Sequence, residues 1–153
     1  MNQGPQKTQE GEAKALLKKM VENSGQLKEL YNNAETLKDL LKRIDKFAEE
    51  LKGSGVKTTQ IRKFYDKLRS LELKLEKSKL SSQKKEELNE QVRIGVLSLK
   101  PLLAYAVGRN DKLKGLVEVL NVAIDKVRDY DDFKKFVEFF QTIVAYHKYH
   151  GGD

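Results

Sequence analysis

Basic residues of one predicted helix are spaced so that they form two cationic stripes. Apolar residues between positions 59 and 79 recur at alternating intervals of three and four, which predicts an α-helix with a narrow apolar seam. At 100° per residue, Arg62 and Arg69 lie on one side of this seam, and Lys63 and Lys67 lie on the other. The two arginines are two turns apart, about 10 Å, so they can contact successive phosphates of an extended strand. Because arginine binds phosphate oxygens in pairs and stacks on unpaired bases, the pattern suits contact with a nucleic acid.

Two further cations, Lys100 and Arg109, stand at the ends of a largely apolar segment that contains Tyr105. A basic residue that ends an apolar helix favours a ligand contact, although capping of the last carbonyl groups accounts for Arg109 nearly as well. For the helix over residues 59–79, the alternative to a nucleic-acid contact is a ladder of surface salt bridges in which Asp66 pairs with Arg62 and Arg69. Such pairs stabilise a helix by only about 0.3–0.5 kcal/mol each. The residues alone leave both interpretations open.

The positive charge of the chain is concentrated in its middle third. The 153 residues include 30 Lys and Arg against 23 Asp and Glu, a net charge of +7. Residues 56–109 carry 13 of the basic and 6 of the acidic residues, whereas 1–55 and 110–153 have net charges of +1 and −1. A basic zone within an otherwise balanced chain indicates an anionic partner, most often a nucleic acid, with a solvated lysine-rich face as the alternative.

The sequence gives little support to thiol chemistry, metal binding or catalysis. The chain has no cysteine, which excludes disulfides, thiolate metal sites and cysteine nucleophiles. His147 and His150 are one turn apart, but His147 shares a helix face with Phe140, which favours a partly buried histidine over a metal ligand. The aspartates within 129–132 are spaced as helix-capping groups, and the glycines within 53–55 indicate a turn. The sequence therefore predicts no metal, no cofactor and no catalytic centre.

Helical spacing of apolar residues along nearly the whole chain predicts an all-α protein, a single bundle of about six or seven helices. We expect residues 1–10 to be a flexible N-terminus and residues 11–152 to form one domain. Pro101 predicts a kink or a new helix start. The segment 92–109 has apolar residues on all faces, which is typical of a buried central element.

Hydroxyl and carboxylate side chains mark the expected helix starts. Thr58 or Thr59 is predicted to cap the helix that carries the stripes. Ser81 or Ser82 is predicted to cap the next, and Asp131 or Asp132 the last. No stretch approaches the roughly 20 apolar residues that cross a bilayer, and the first residues lack an apolar signal core. We therefore expect a cytoplasmic protein with no membrane partner.

Three blocks of the sequence, taken together, resemble a known family. They are TTQIRKFY at 58–65, LKPLLAYAVGR at 99–109 and FVEFFQTIVAYHKYHGG at 136–152. Their order and spacing are similar to those of the Csm small subunit of type III-A CRISPR-Cas effector complexes, over roughly residues 56–152. The resemblance implies a helical, non-catalytic subunit in antiviral defence that stacks in several copies along a ribonucleoprotein filament.

The resemblance also implies partners and site residues. The partners are the guide and target RNA strands, bound without regard to sequence, the other subunits of the complex, and further copies of this chain. RNA-facing positions match Arg62, Lys63, Lys100 and Arg109, while Lys67 and Arg69 extend the first patch. The third block is interpreted as core and as a packing or subunit-contact edge.

An alternative function is a helical interaction module that self-associates, without contacting RNA, through the apolar seam between the stripes. That seam is also our candidate for the stacking contact between copies if it is not wholly internal.

Overall fold

A computed structural model of the protein describes residues 3–81 and 84–153, with side chains from residue 11 onward. Within these ranges it has seven α-helices, two short 3₁₀-helices and no strand, which confirms the predicted all-α bundle. The predicted flexible terminus, 1–10, lies partly outside the described residues, so the division into terminus and domain stays a prediction. The α-helices are α1 (Gln3–Asn23), α2 (Ala34–Gly53), α3 (Thr58–Leu80), α4 (Lys85–Leu97), α5 (Leu99–Arg109), α6 (Lys114–Ile124) and α7 (Tyr130–Tyr149). The 3₁₀-helices span Leu27–Tyr31 and Asp111–Leu113.

The last helix, α7, carries much of the hydrophobic core. Its apolar residues recur at intervals of three and four, so one broad face is apolar, and Phe133, Phe136, Phe139 and Ile143 are almost completely buried. α7 packs against both α2 and α3, while α6 packs against α1 and α5. The predicted seam of α3 faces this core, because Leu68 and Leu75 are almost fully buried. α3 is therefore held by its seam, and its two charged sides are left at the surface.

The start of α3 has a local cap from Gln60 and a long-range contact between Thr58 and α7, but not the predicted hydroxyl cap. The N-cap residue is Lys57, whose amide donates a 3.0 Å hydrogen bond to the side chain of Gln60. The prediction of a cap at Thr58 or Thr59 is wrong, because the Thr58 hydroxyl lies 2.9 Å from Nδ1 of His147 on α7. A turn separates α2 from α3 as predicted, with Gly55 at a φ of 90°.

Two other predicted caps are also misplaced. Ser81 is the C-cap residue of α3, and its hydroxyl donates to the Ser78 carbonyl oxygen. α4 begins at Lys85 with Lys84 as its N-cap residue, and Ser82 lies outside the described residues. α7 is capped by Asp129, whose carboxylate accepts from the amide of Asp132 at 2.8 Å. Asp132 itself is fully buried.

The buried Asp132 carboxylate joins the start of α7 to the first 3₁₀-helix and to the residue before it. It accepts hydrogen bonds from the amides of Lys28 and Arg128 and from the side chain of Gln26. The carboxylate of Asp132, which was predicted to cap α7, therefore forms a tertiary contact.

The segment 92–109 is not a buried central element, contrary to the prediction from its apolar faces. It forms two short helices, α4 and α5, separated near Ser98, with Pro101 in the first turn of α5 as predicted. Side chains on their outer faces are open to solvent, including Ile94 (57% exposed), Leu102 (45%) and Tyr105 (67%). The break turns only part of each helix toward the core, so apolar residues on the remaining faces stay at the surface.

Candidate nucleic-acid interface

An open groove of about 680 Å³ runs between α3 and α5. α3 contributes Lys63 and Lys67 to its lining, and α5 contributes Tyr105 and Arg109. In each pair the residues are four positions apart, so both side chains extend from the same side of their helix. Most of the remaining lining is apolar and consists of Phe64, Leu102, Ala106 and Leu113. The groove thus combines cationic side chains with an apolar surface.

The three cations of the groove have no acidic partner among the residues that the structure describes. Lys63, Lys67 and Arg109 are exposed, and none of them has a carboxylate oxygen within 4.0 Å of a side-chain nitrogen. The Arg109 guanidinium carbon lies 5.9 Å from the centre of the Tyr105 ring, which is within the range of a cation–π contact. Three neighbouring positive charges that no acid neutralises create a local potential that attracts anions.

The other three predicted site residues lie outside this groove. Arg69 forms an ion pair with Glu72, with 2.8 Å between Nη1 and Oε1, and Lys100 forms one with Asp125 at 2.7 Å. Arg62 is exposed and does not line the groove, because it extends from the same side of α3 as Arg69. The six predicted residues therefore do not form one continuous patch.

The salt-bridge alternative is correct for Arg69, although its partner is Glu72 and not Asp66. Glu72 is only 6% exposed, and its second carboxylate oxygen lies 3.4 Å from Nζ of Lys134 on α7. Burial alone would lower the pKa of Lys134, but the nearby Tyr130, Glu72 and Glu76 outweigh it and raise that pKa. The cluster of Arg69, Glu72 and Lys134 ties α3 to α7. The spacing of three residues indicates the pair of Arg69 with Glu72, but nothing local indicates Lys134, which is 62 residues from Glu72.

We expect Arg69→Ala to affect stability more than RNA binding. The substitution removes one of two cations from a buried carboxylate, so the free energy of unfolding should fall by about 1 kcal/mol, while Lys134 keeps the carboxylate paired. Affinity for single-stranded RNA should change less than twofold. Urea unfolding and filter binding of the same protein measure both effects. Arg62→Ala is the control for the unfolding measurement, because it removes an exposed arginine of the same helix that forms no ion pair within the described residues. A loss of affinity as large as that caused by Lys67→Ala would contradict the assignment.

His147 is a buried core residue on the same side of α7 as Phe140. Its Nε2 lies 2.8 Å from the carbonyl oxygen of Val56, so Nε2 carries the proton and Nδ1 accepts from the Thr58 hydroxyl. Burial lowers the pKa of His147, as do the nearby His150 and Lys52, against the opposing effect of the Val56 carbonyl. In the parts of the chain that the structure describes, no cluster of three or more His, Asp or Glu residues is suited to hold a metal ion.

A pH effect on stability follows from this buried histidine. As the pH decreases below the ordinary value of 6.5, the unfolded chain takes up a proton before folded His147 does. The free energy of unfolding should therefore fall between pH 7.5 and pH 5.5, and this part of the decrease should be absent in His147→Gln. Urea titrations of both proteins at the two pH values measure the difference. An equal decrease in both would show that other groups carry the pH dependence.

The fold and this groove define a small all-α protein with a cationic surface. The family model described as Csm2 Type III-A matches residues 34–153, and the chain belongs to this family. It is therefore a small subunit of a type III-A CRISPR complex, and its partners are the other Csm subunits. The match covers all three sequence blocks and extends the resemblance through α2.

The family is one of structural small subunits that are not known as catalytic. Comparison with curated proteins and with solved structures finds no match. Among the described helices, none has both the length and the apolar character that crossing a membrane requires.

Sequence reasoning missed the groove itself and the position of Tyr105 in it. The spacing of four residues between Tyr105 and Arg109 is a signal that places both on one side of α5. It does not show that this side faces Lys63 and Lys67, because that depends on how α5 packs on α6.

Proposed function

We propose that this chain binds the RNA backbone within the type III-A complex through the groove between α3 and α5, without cleaving RNA. The observation that carries the proposal is the set of three cations, Lys63, Lys67 and Arg109, that line one groove and have no acidic partner in the described residues. Arg62 is exposed beside this set and is a secondary candidate. We assign Arg69 and Lys100 to the ion pairs that they form within the chain.

Phosphate contacts of this kind do not depend on base sequence. A subunit that uses them accepts any target, while base pairing between guide and target supplies specificity. Three contacts give a slope of about −2 for the logarithm of affinity against the logarithm of salt concentration, since each contact contributes about −0.7 on a single strand. Binding by one isolated copy is weak, and several linked copies along one strand multiply it.

We further propose that copies stack through the outer surface of α4. The seam of α3 is a poor contact surface, because its residues Ile61, Leu68 and Leu75 are at most 2% exposed and pack in the core of the same chain. We therefore place self-association on a different surface from the predicted seam. Ile94 and Leu97 on α4 are 57% and 43% exposed, and they give an apolar surface distinct from the groove. Head-to-tail stacking requires two different surfaces on each copy, and such an exposed apolar area supplies one of them.

Filter binding of the purified chain to single-stranded RNA tests the proposal. Two RNAs of unrelated sequence, each measured at several salt concentrations, should bind with equal, weak affinity and with a slope near −2. Neither RNA should be cut when it is incubated with the chain and Mg²⁺. Binding that is absent at low salt would overturn the RNA-binding role, and cleavage that copurifies with the chain would overturn the non-catalytic one.

A further inference from the structure

The groove has more apolar surface than phosphate binding needs. Phe64, Leu102, Ala106 and Leu113 line it together with the cations, and its volume of about 680 Å³ is within the range of about 300–1,000 Å³ typical of small-molecule sites. Purely electrostatic contact with a backbone needs only charged or polar groups on an open surface. The composition of the groove therefore fits a ligand that has both an anionic and a flat apolar part.

Tyr105 is the exposed aromatic side chain of this groove. It is 67% exposed, and no hydrogen bond of its hydroxyl group is found within the described residues. It therefore contributes little to the core, where Leu103 is the buried residue of α5. The neighbouring Arg109 guanidinium is also planar, and bases stack on both kinds of surface.

We infer that the groove holds an unstacked nucleobase of single-stranded RNA against Tyr105 and Arg109, while Lys63 and Lys67 contact the adjoining phosphates. This inference rests on the proposed function and adds a base contact to it. Charge complementarity favours a nucleotide over a protein segment, because the three cations of the groove have no acidic partner within the described chain. Every base has a π face and can stack on the groove, so this contact does not depend on base sequence. It distinguishes single-stranded RNA from a duplex, because the bases of a duplex are already stacked.

The inference is tested with Tyr105→Ala and Tyr105→Phe against a single strand and against the duplex of the same sequence. Tyr105→Ala should weaken single-strand binding by about tenfold, the typical effect of losing one stacked base, and should leave duplex binding unchanged. Tyr105→Phe should bind like the parent protein. The salt slope should be the same in all three proteins, because no phosphate contact has been removed. RNA that contains 2-aminopurine should lose fluorescence on binding to the parent chain but not to Tyr105→Ala.

The two proposals fail in different ways. If Tyr105→Ala binds single strands as well as the parent, the stacking contact is wrong, while the proposed function stands as long as loss of Lys63 and Lys67 still weakens binding. If Tyr105→Ala keeps full RNA affinity but no longer assembles with the other subunits, the exposed ring is a protein contact and the inference is overturned. Thermal melting of each variant confirms folding, which the exposure of Tyr105 leads us to expect.

Discussion

Replacing Lys63 and Lys67 together by alanine is expected to weaken binding of single-stranded RNA about 25-fold at 0.1 M salt. Both side chains line the groove between α3 and α5, and neither has a carboxylate within 4.0 Å in the described residues. Each phosphate contact contributes about 0.7 logarithmic units of affinity at this salt concentration, so the loss of two contacts removes about 1.4 units. The salt slope should decrease by the same amount, from about −2 to about −0.7. Fluorescence anisotropy with a labelled RNA, measured over a series of salt concentrations, gives both values.

A matched control exists on α2. Lys38 and Lys42 are also exposed lysines four residues apart on a helix, but they do not line the groove. Replacing them by alanine changes the net charge by the same amount and favours helix formation equally. This double variant should bind RNA within about threefold of the parent protein, because only long-range attraction is lost. Equal weakening by both double variants would mean that net charge, and not the groove, carries binding.

The charged sides of α3 could be predicted from the sequence, because they depend on one regular helix. Once the seam is buried, helical geometry places Lys63 and Lys67 on one side and Arg62 and Arg69 on the other. The spacing does not determine which side stays free for a ligand. Arg69 is near a buried carboxylate that is also bound by Lys134 from α7, and that neighbour is set by tertiary packing.

The position of α5 could not be derived in the same way. Its apolar residues occur on all faces, so periodicity gave no preferred side and suggested complete burial. The helix packs on α6 and on the second 3₁₀-helix, with only Leu103 buried, and this placement turns Tyr105 and Arg109 toward α3. The groove is therefore a product of two helices whose relative placement no local pattern encodes.

The helix caps could not be predicted from local sequence preference either. Local preference ranks Thr58 and Asp132 as good capping residues, and both are used for contacts with distant parts of the chain. Thr58 donates to His147, which is 89 residues away, and Asp132 accepts from the amide of Lys28, which is 104 residues away. A buried hydrogen bond of this kind satisfies groups that would otherwise be left unpaired in the core, so it outweighs a surface cap.

The C-terminal residues close the fold over the same histidine. The amide of Gly152 donates to the His147 carbonyl oxygen at 2.9 Å, and the amide of Thr58 donates to the Asp153 carbonyl oxygen at 2.7 Å. Gly152 is buried, and its α-carbon faces the imidazole ring of His147. This close approach leaves no space for a side chain at position 152.

Gly152→Ala is expected to lower the free energy of unfolding by about 2–3 kcal/mol. The added Cβ would overlap the His147 ring and would lie 2.8 Å from its carbonyl oxygen, so the tail must move and the bonds to His147 and Thr58 must weaken. The control is Gly53→Ala at the end of α2, where a Cβ has no heavy atom within 4 Å. That change should leave stability the same or raise it by up to about 1 kcal/mol. Urea unfolding of both variants measures the difference in stability. Equal stability of the two variants would show that the C-terminal residues do not hold His147 in place.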